Sequence, residues 1–345
     1  MKAAYKKYTL CFKNPAITSR NTLLTKETYF IKVWDDGNPE CFGVGESALF
    51  RGLGADDRPG YEDKLGEVCE NIDNFDVESL SEWSSIQFGI ETALADLENG
   101  GRRIIADTPF SRGEYGIKIN GLVWMGNKDE MEQRIKEKLS DGFGCLKLKI
   151  GGIDFESELS LIKAIREKFS PQILELRLDA NGAFSPDTAL ANLETLSGYS
   201  IHSIEQPIRQ GQWAEMARIC SSSPIPIALD EELIGINDVT DKQRMLDTVL
   251  PQYIILKPSL AGGLGGSDEW IKTAEERGIK WWATSALESD IGLNAIAQWV
   301  SGYDISMPQG LGTGRLYENN IASPLRCKGE RLYYDPSGSW DLSLL

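Results

Sequence analysis

Lys147 and Lys149, Asp179, Glu205, Asp230 and Lys257 recur at intervals of 25 to 30 residues, each at the end of an apolar run that reads as a buried strand. That interval is about one strand, one helix and two loops, so the chain repeats a βα unit. When such units close into a barrel, charged groups at successive strand ends converge on one mouth. Three carboxylates drawn that close repel one another unless a cation sits between them. An acid after a strand also caps the following helix, and for a single position that reading suffices. Three in succession with lysines on both flanks go beyond it. Oxygen-only ligands favour Mg2+, with Mn2+ as the alternative, over Zn2+. The single histidine, His202, points the same way and reads as a structural residue.

Lys147 and Lys149 stand two apart on a strand and share a face, while Leu146, Leu148 and Ile150 take the face that covering helices require. The lysines therefore point into the barrel. Crowding of two ammonium groups beside a metal is expected to lower at least one pKa toward neutrality and give a general base. Lys257 ends the sixth strand, across the mouth from Lys149. Alone it also reads as a snorkelling lysine or as the imine-forming lysine of an aldolase, and the three carboxylates argue against the latter. Two lysines facing each other across a divalent cation suit removal of a proton α to a carboxylate, because the cation stabilises the charge that develops on the carboxylate oxygens.

These side chains need a scaffold, and the patterning supplies one. Residues 2–13, 28–35 and 41–46 alternate polar with apolar or β-branched side chains around Asp35-Asp36-Gly37-Asn38-Pro39, an antiparallel meander. Helical spacing follows over 61–75 and 85–99, making an α+β module. The stretches 14–26 and 47–59 read as long loops of the kind that carry binding elements. From residue 113, strands are predicted at 117–122, 145–150, 174–178, 203–205, 227–229, 253–256, 280–283 and 304–307, with helices between them. No full helix is evident over 311–319, which fits a barrel with an incomplete last unit better than a doubly wound sheet, though periodicity alone does not separate the two. The glycine run Gly262-Gly263-Leu264-Gly265-Gly266 reads either as an anion cradle at a helix N-terminus or as a tight turn. Trp281 and Trp282 must face opposite ways, one into the barrel and one under the helices. In the tail, a hairpin over 331–340 is expected to pack back on the N-terminal module.

A chain of 345 residues with a net charge of −16, from 36 basic and 52 acidic residues, repels phosphate backbones and anionic lipid surfaces. Nucleic acid and membranes are therefore not expected partners, and a small-molecule carboxylate is. Six cysteines without a Cys-x-x-Cys pair, and no apolar segment of signal or membrane-spanning length, place the expected home in the reducing cytoplasm. Oligomeric state is not legible in the sequence.

The motifs Lys147-Leu148-Lys149, Asp179-Ala180-Asn181-Gly182, Glu205-Gln206-Pro207, Asp230-Glu231-Glu232 and Lys257-Pro258 resemble, in order and spacing, those of the enolase superfamily and its muconate-lactonizing-enzyme subgroup. The resemblance spans essentially the whole chain. It implies an α/β fold, a (β/α)7β modified TIM barrel with an N-terminal α+β capping domain. Residues 1–105, joined by the tail 320–345, would form the cap, and 106–319 the catalytic barrel. It further implies Mg2+ on Asp179, Glu205 and Asp230, with Lys149 and Lys257 as catalytic lysines and Lys147 as the neighbour that tunes Lys149.

Within the subgroup, Thr18-Ser19-Arg20, Gly45-Glu46-Ser47, Phe50-Arg51-Gly52-Leu53 and the segment 283–289 are similar to the o-succinylbenzoate synthases of the menaquinone pathway. What this implies is a lyase that abstracts the α-proton of 2-succinyl-6-hydroxy-2,4-cyclohexadiene-1-carboxylate and eliminates water in syn fashion. Ser19, Arg20, Arg51, Asn181 and Ser285 are the expected substrate contacts. N-succinylamino acid racemases and the epimerases of the superfamily are the competing families. Dipeptide epimerases usually hold the substrate ammonium with an acid pair at the eighth strand, where this chain has Ser306-Met307-Pro308-Gln309-Gly310.

Overall fold

The structure, a computed structural model, describes residues 1–17 and 22–345. Strands β1 (Lys2–Ile17), β2 (Thr22–Asp35) and β3 (Asn38–Ser47) form an antiparallel sheet in that order. The first two strands are longer than predicted. Past an irregularity between Cys11 and Ala16, pairing resumes at Ala16 with Leu23 and Ile17 with Thr22, so most of the expected 14–26 loop is strand. Thr22 and Thr25, β-branched residues that suit a pleated surface, carry that extension. The stretch after β3 does remain irregular, up to helix α1 (Tyr61–Glu70).

Helix α2 (Ser84–Glu98) lies on β3 almost backbone to backbone. A Cβ at Gly43 would fall 1.9 Å from Ala93 O, and one at Gly45 the same distance from Gly89 O. Only glycine permits that approach. Tyr29, Ile31 and Val33 of β2 then bury against Leu65 and Val68 of α1 and Ile86 and Ile90 of α2.

The rest of the chain alternates. Strands β4 (Ile117–Lys118) and β5 (Gly121–Val123) precede α3 (Lys128–Ser140), then come β6 (Cys145–Lys149), α4 (Phe155–Lys168), β7 (Glu175–Asp179) and α5 (Pro186–Ser197). Next follow β8 (Ser203–Glu205), α6 (Trp213–Ser222), β9 (Ile227–Leu229), α7 (Val239–Val249) and β10 (Tyr253–Leu256). Helix α8 (Gly263–Glu275), β11 (Lys280–Ala283) and α9 (Asp290–Val300) complete the series. Strands β5 to β11 form a curled parallel sheet in sequential order. Leu146, Leu148 and Ile150 bury in the core between sheet and helices, as expected. Trp282 joins Ala228 and Ile255 on the other face, and Trp281 meets Tyr303 edge-on at 5.2 Å.

Two predictions about closure fail. Residues 304–307 are not a strand, because Pro308 has no N–H to donate to a ladder and interrupts the segment. Gln309 and Gly310 close the barrel instead. Gln309 N donates to Lys118 O and Gly310 N to Ala283 O, both at 2.8 Å, while Asn120 N and Ser285 N donate back at 3.0 Å. The predicted 117–122 strand is also divided: β4 pairs antiparallel with the tail, and β5 pairs with β6.

The tail hairpin is β12 (Leu325–Lys328) with β13 (Arg331–Tyr334), earlier than predicted because the turn falls at Gly329. It attaches to β4, while Leu342, Leu344 and Leu345 pack with Phe30 and Val44 of the N-terminal sheet. The glycine run opens α8, and its N-terminus is taken by the protein's own Glu91, which accepts from Leu264 N at 2.6 Å. Asymmetry between the alternatives is thereby resolved: the run is a turn capped by a carboxylate from α2.

Candidate active site

The parallel register aligns Lys149 with Asp179 and Asp179 with Glu205 across β6, β7 and β8. Equal register on adjacent strands sends all three side chains to the same face. Asp230 follows β9 and Lys257 follows β10, so the five groups sweep round the mouth of the curled sheet. Asp179, Glu205 and Asp230 are buried, as are Lys147 and Lys149.

Each carboxylate is engaged by an ammonium group. Lys147 Nζ donates to Glu205 Oε2 at 2.8 Å and stands 3.1 Å from Asp179 Oδ2. Lys149 Nζ donates to the same Asp179 Oδ2 at 2.6 Å and to Asn181 Oδ1 at 2.8 Å, and Lys257 Nζ donates to Asp230 Oδ2. Asn181 is itself held, donating through Nδ2 to Glu231 Oε1 at 2.9 Å. Both Asn181 and Gln206, the residues just past the Asp179 and Glu205 strand ends, have positive φ, 46° and 40°. Those left-handed turns bend the chain sharply off the strand ends. Gln206 Nε2 then bonds Glu232 Oε2 at 3.0 Å.

Electrostatics follow from this packing. Burial acts to raise Asp179, but Lys149 and Lys147 outweigh it and hold the carboxyl below its ordinary value. Asp230 is lowered in the same way, burial being overcome by Lys257. Glu205 is the exception: burial and then the Asp179 charge push it well above the ordinary range despite Lys147. The expected fall in lysine pKa is not met at Lys147. Burial acts to lower Lys147 and Lys257, yet Glu205 and Asp179 around the first, and Asp230 and Glu231 around the second, raise both. The reason is that each of these ammonium groups stands in direct contact with carboxylates, Lys147 with Glu205 and Asp179 and Lys257 with Asp230.

Among the described residues, no three acid, imidazole or thiol groups stand close enough together to hold a metal as they are placed. The donor set nonetheless fits one. Asp179, Glu205 and Asp230 supply only oxygen, burial and then the Asp179 charge push Glu205 above its ordinary range, and a hard divalent cation would offset both.

Lys147, Lys149, Lys257, Asn181 and Ser285 all line one cavity at the mouth. Ser19 and Arg20 lie outside the described residues. Arg51 does not line the cavity; its guanidinium is half exposed and pairs with Glu27 at 2.8 Å and Asp57 at 2.7 Å. The neighbours Phe50 and Leu53 face the cavity instead, with Leu122 and Trp124. Sequence reasoning missed this apolar wall, and the only signal for it was the pair of large apolar residues flanking Arg51-Gly52. It also missed Glu231, whose place directly after Asp230 was the available clue. His202 lies away from the site, stacked on Tyr253 at 5.2 Å, with its Nδ1 3.0 Å from Ser203 Oγ.

A capped, curled βα sheet with acids and lysines at its strand ends defines an enzyme of the enolase type. The chain belongs to the enolase superfamily: residues 130–333 match the enolase C-terminal domain-like family. It is 46% identical to the o-succinylbenzoate synthase of Desulfotalea psychrophila, over 95% of this chain and 98% of that protein. The L-Ala-D/L-Glu epimerase of Bacillus subtilis is 26% identical over 83% of this chain and 81% of its own length. Among solved structures, MenC from Desulfotalea psychrophila superposes with a TM-score of 0.85 and 42% identity, covering 96% of this chain and 99% of that one. Muconate lactonizing enzyme from Pseudomonas fluorescens, at 22% identity, shares the fold with a TM-score of 0.78 over 99% and 96% of the two chains.

Proposed function

We propose that the protein is an o-succinylbenzoate synthase, a hydro-lyase of menaquinone biosynthesis acting on 2-succinyl-6-hydroxy-2,4-cyclohexadiene-1-carboxylate. The observation that carries this reading is 46% identity to a protein of that name over nearly the full length of both chains. The placement of Lys149 and Lys257 on one cavity, at the ends of β6 and β10 with three strands between them, supports it.

In this reading Lys149 is the base. Its Nζ takes the α-proton of the substrate and then protonates the departing hydroxyl, so one group serves both halves of a syn elimination. Asn181, anchored by Glu231, fixes where that Nζ sits. Lys257 Nζ carries the positive charge that opposes the enolate charge from the other side. Lys147, paired with Glu205 and Asp179, holds the acids in position and keeps the charge of the site balanced. Mg2+, or Mn2+ in its place, bound by Asp179, Glu205 and Asp230 would supply positive charge to the substrate carboxylate. A related dipeptide epimerase from Enterococcus faecalis has been solved with Mg. Phe50, Leu53 and Trp124 exclude water from the ring, and Ser285 and Asn181 are the polar contacts we assign to the substrate.

We divide the chain into a cap of residues 1–105 with the tail 320–345, and a catalytic barrel of 106–319; a separate hydrophobic cluster from Tyr29 to Ala93 supports the cap, whereas Leu325, Leu332 and Tyr334 of the tail bury in the barrel's cluster and its last residues pack on the N-terminal sheet. Six unpaired cysteines are compatible with a reducing cytoplasm. Among the described residues no helix is long and apolar enough to cross a membrane.

The competing reading is N-succinylamino acid racemisation, or epimerisation, by the same two lysines. Purified protein assayed with the cyclohexadiene carboxylate and with N-succinylamino acids, with and without EDTA, separates them. EDTA-sensitive dehydration is expected; racemisation without dehydration would overturn the assignment.

A further inference from the structure

The cavity has two chemically different halves. On one, at the ends of β6 to β10, every lysine and carboxylate described above has a partner. On the other, at the junction of β11, the Gln309–Gly310 closure and β5, three side-chain oxygens have none among the described residues. Thr284 Oγ1, Thr313 Oγ1 and Asn120 Oδ1 are buried atoms without a hydrogen-bond partner there, on residues only 7%, 5% and 4% exposed. All three residues line the same cavity as the lysines. Buried polar atoms are almost always satisfied, and three exceptions on one wall call for a common cause.

Their backbones are held in place by the barrel closure. Asn120 N bonds Gln309 O at 3.0 Å and Thr284 N bonds Leu256 O at 2.8 Å. The eighth segment keeps the wall open with glycine: a Cβ at Gly310 would fall 2.4 Å from Thr284 Oγ1. Any larger residue there would cover the hydroxyl. The wall is therefore rigid, polar and uncharged, and apolar Leu122 and Trp124 line the same cavity.

We infer that Asn120, Thr284 and Thr313 are specificity-determining residues that hold the oxo-acid side arm of the substrate, an inference that rests on the function proposed above. Hydroxyls donate to a ketone or carboxylate oxygen, and the asparagine amide presents either a donor or an acceptor according to its orientation. An aromatic or cyclohexadiene carboxylate set against the lysines would extend its arm to this wall. A substrate with an ammonium group here would meet no carboxylate on these three residues, so the wall selects against amino-terminated arms.

The test compares two ligands that share the ring carboxylate and differ in the arm, o-succinylbenzoate and benzoate. Their affinities are measured by calorimetry in Mg2+ for the wild type, Thr284→Val, Thr313→Val and Asn120→Leu, alongside KM and kcat for the cyclohexadiene substrate. Each substitution is expected to weaken o-succinylbenzoate about 5- to 10-fold, the effect of one hydrogen bond, and to leave benzoate within about twofold. KM should rise more than kcat falls, and Thr313→Ser, which retains the hydroxyl, should restore affinity. Equal loss for both ligands, or no loss for either, would overturn the inference. A wild type that turns over the substrate while the variants match it contradicts this inference alone; a wild type that does not turn it over contradicts the proposed function.

Discussion

Lys149 Nζ and Lys147 Nζ share one acceptor, Asp179 Oδ2, at 2.6 Å and 3.1 Å. The register sets Lys149 beside Asp179, and the contact ties the proposed base to a proposed metal ligand. An oxygen that binds a cation has less to offer an ammonium group, so ligand occupancy and the freedom of Lys149 are linked.

Asp230 tests the metal assignment with least disturbance to Lys149, since the ammonium group that bonds it is that of Lys257. Asp230→Asn is expected to weaken Mg2+ binding about tenfold or more by calorimetric titration, because a formal charge leaves an all-oxygen site. An unchanged titration would remove Asp230 from the ligand set.

Lys257 is assigned to charge stabilisation, so its loss should appear in turnover. Lys257→Ala should lower kcat on the order of 10²- to 10³-fold, with a much smaller change in KM. A variant that raises KM alone would instead make Lys257 a binding group.

The cap depends on the close approach of α2 to β3. Gly45→Val places a side chain where Gly89 O already stands, 1.9 Å from the Cβ position. Stability should fall by at least about 2 kcal/mol in chemical denaturation. An unchanged midpoint would contradict the packing.

Asp290, in the first turn of α9, is raised to about 6, chiefly by burial against the opposing hydrogen bonds from Ser323 and Asn320. An unfolded aspartate titrates near ~3.9. Between those values the folded chain retains a proton that the unfolded chain has lost, so stability from this group is complete below about pH 4 and declines as pH rises toward 6. Asp290→Asn removes the decline. The stability of the wild type relative to the variant should therefore fall by roughly 2 kcal/mol from pH 4 to 6, read from thermal or denaturant unfolding at several pH values.

The charged series was legible because charges at the ends of buried apolar strands are unusual and their spacing repeats. Inward placement of Lys147 and Lys149 followed from the apolar face made by Leu146, Leu148 and Ile150. The eighth strand was misplaced because Ile305 and Met307 mimic strand patterning, whereas closure depends on which residues can donate N–H groups beyond Pro308. Arg51 was read as a substrate contact from its loop, and only the folded arrangement reveals Glu27 and Asp57 as its partners. The direction for Lys147 was misjudged because the sequence showed two lysines side by side and not the Glu205 and Asp179 carboxylates that face it. The side-chain oxygens of Asn120, Thr284 and Thr313, unpartnered among the described residues, could not be foreseen, since lacking a partner is a property of three dimensions.

The most direct test of the central claim is a paired measurement on Lys149→Ala: turnover of the cyclohexadiene carboxylate, and Mg2+ affinity by calorimetry. Loss of dehydration by about 10³-fold or more, with Mg2+ affinity close to that of the wild type, is the predicted result. Near wild-type turnover in that variant would contradict the assignment of Lys149 as the base.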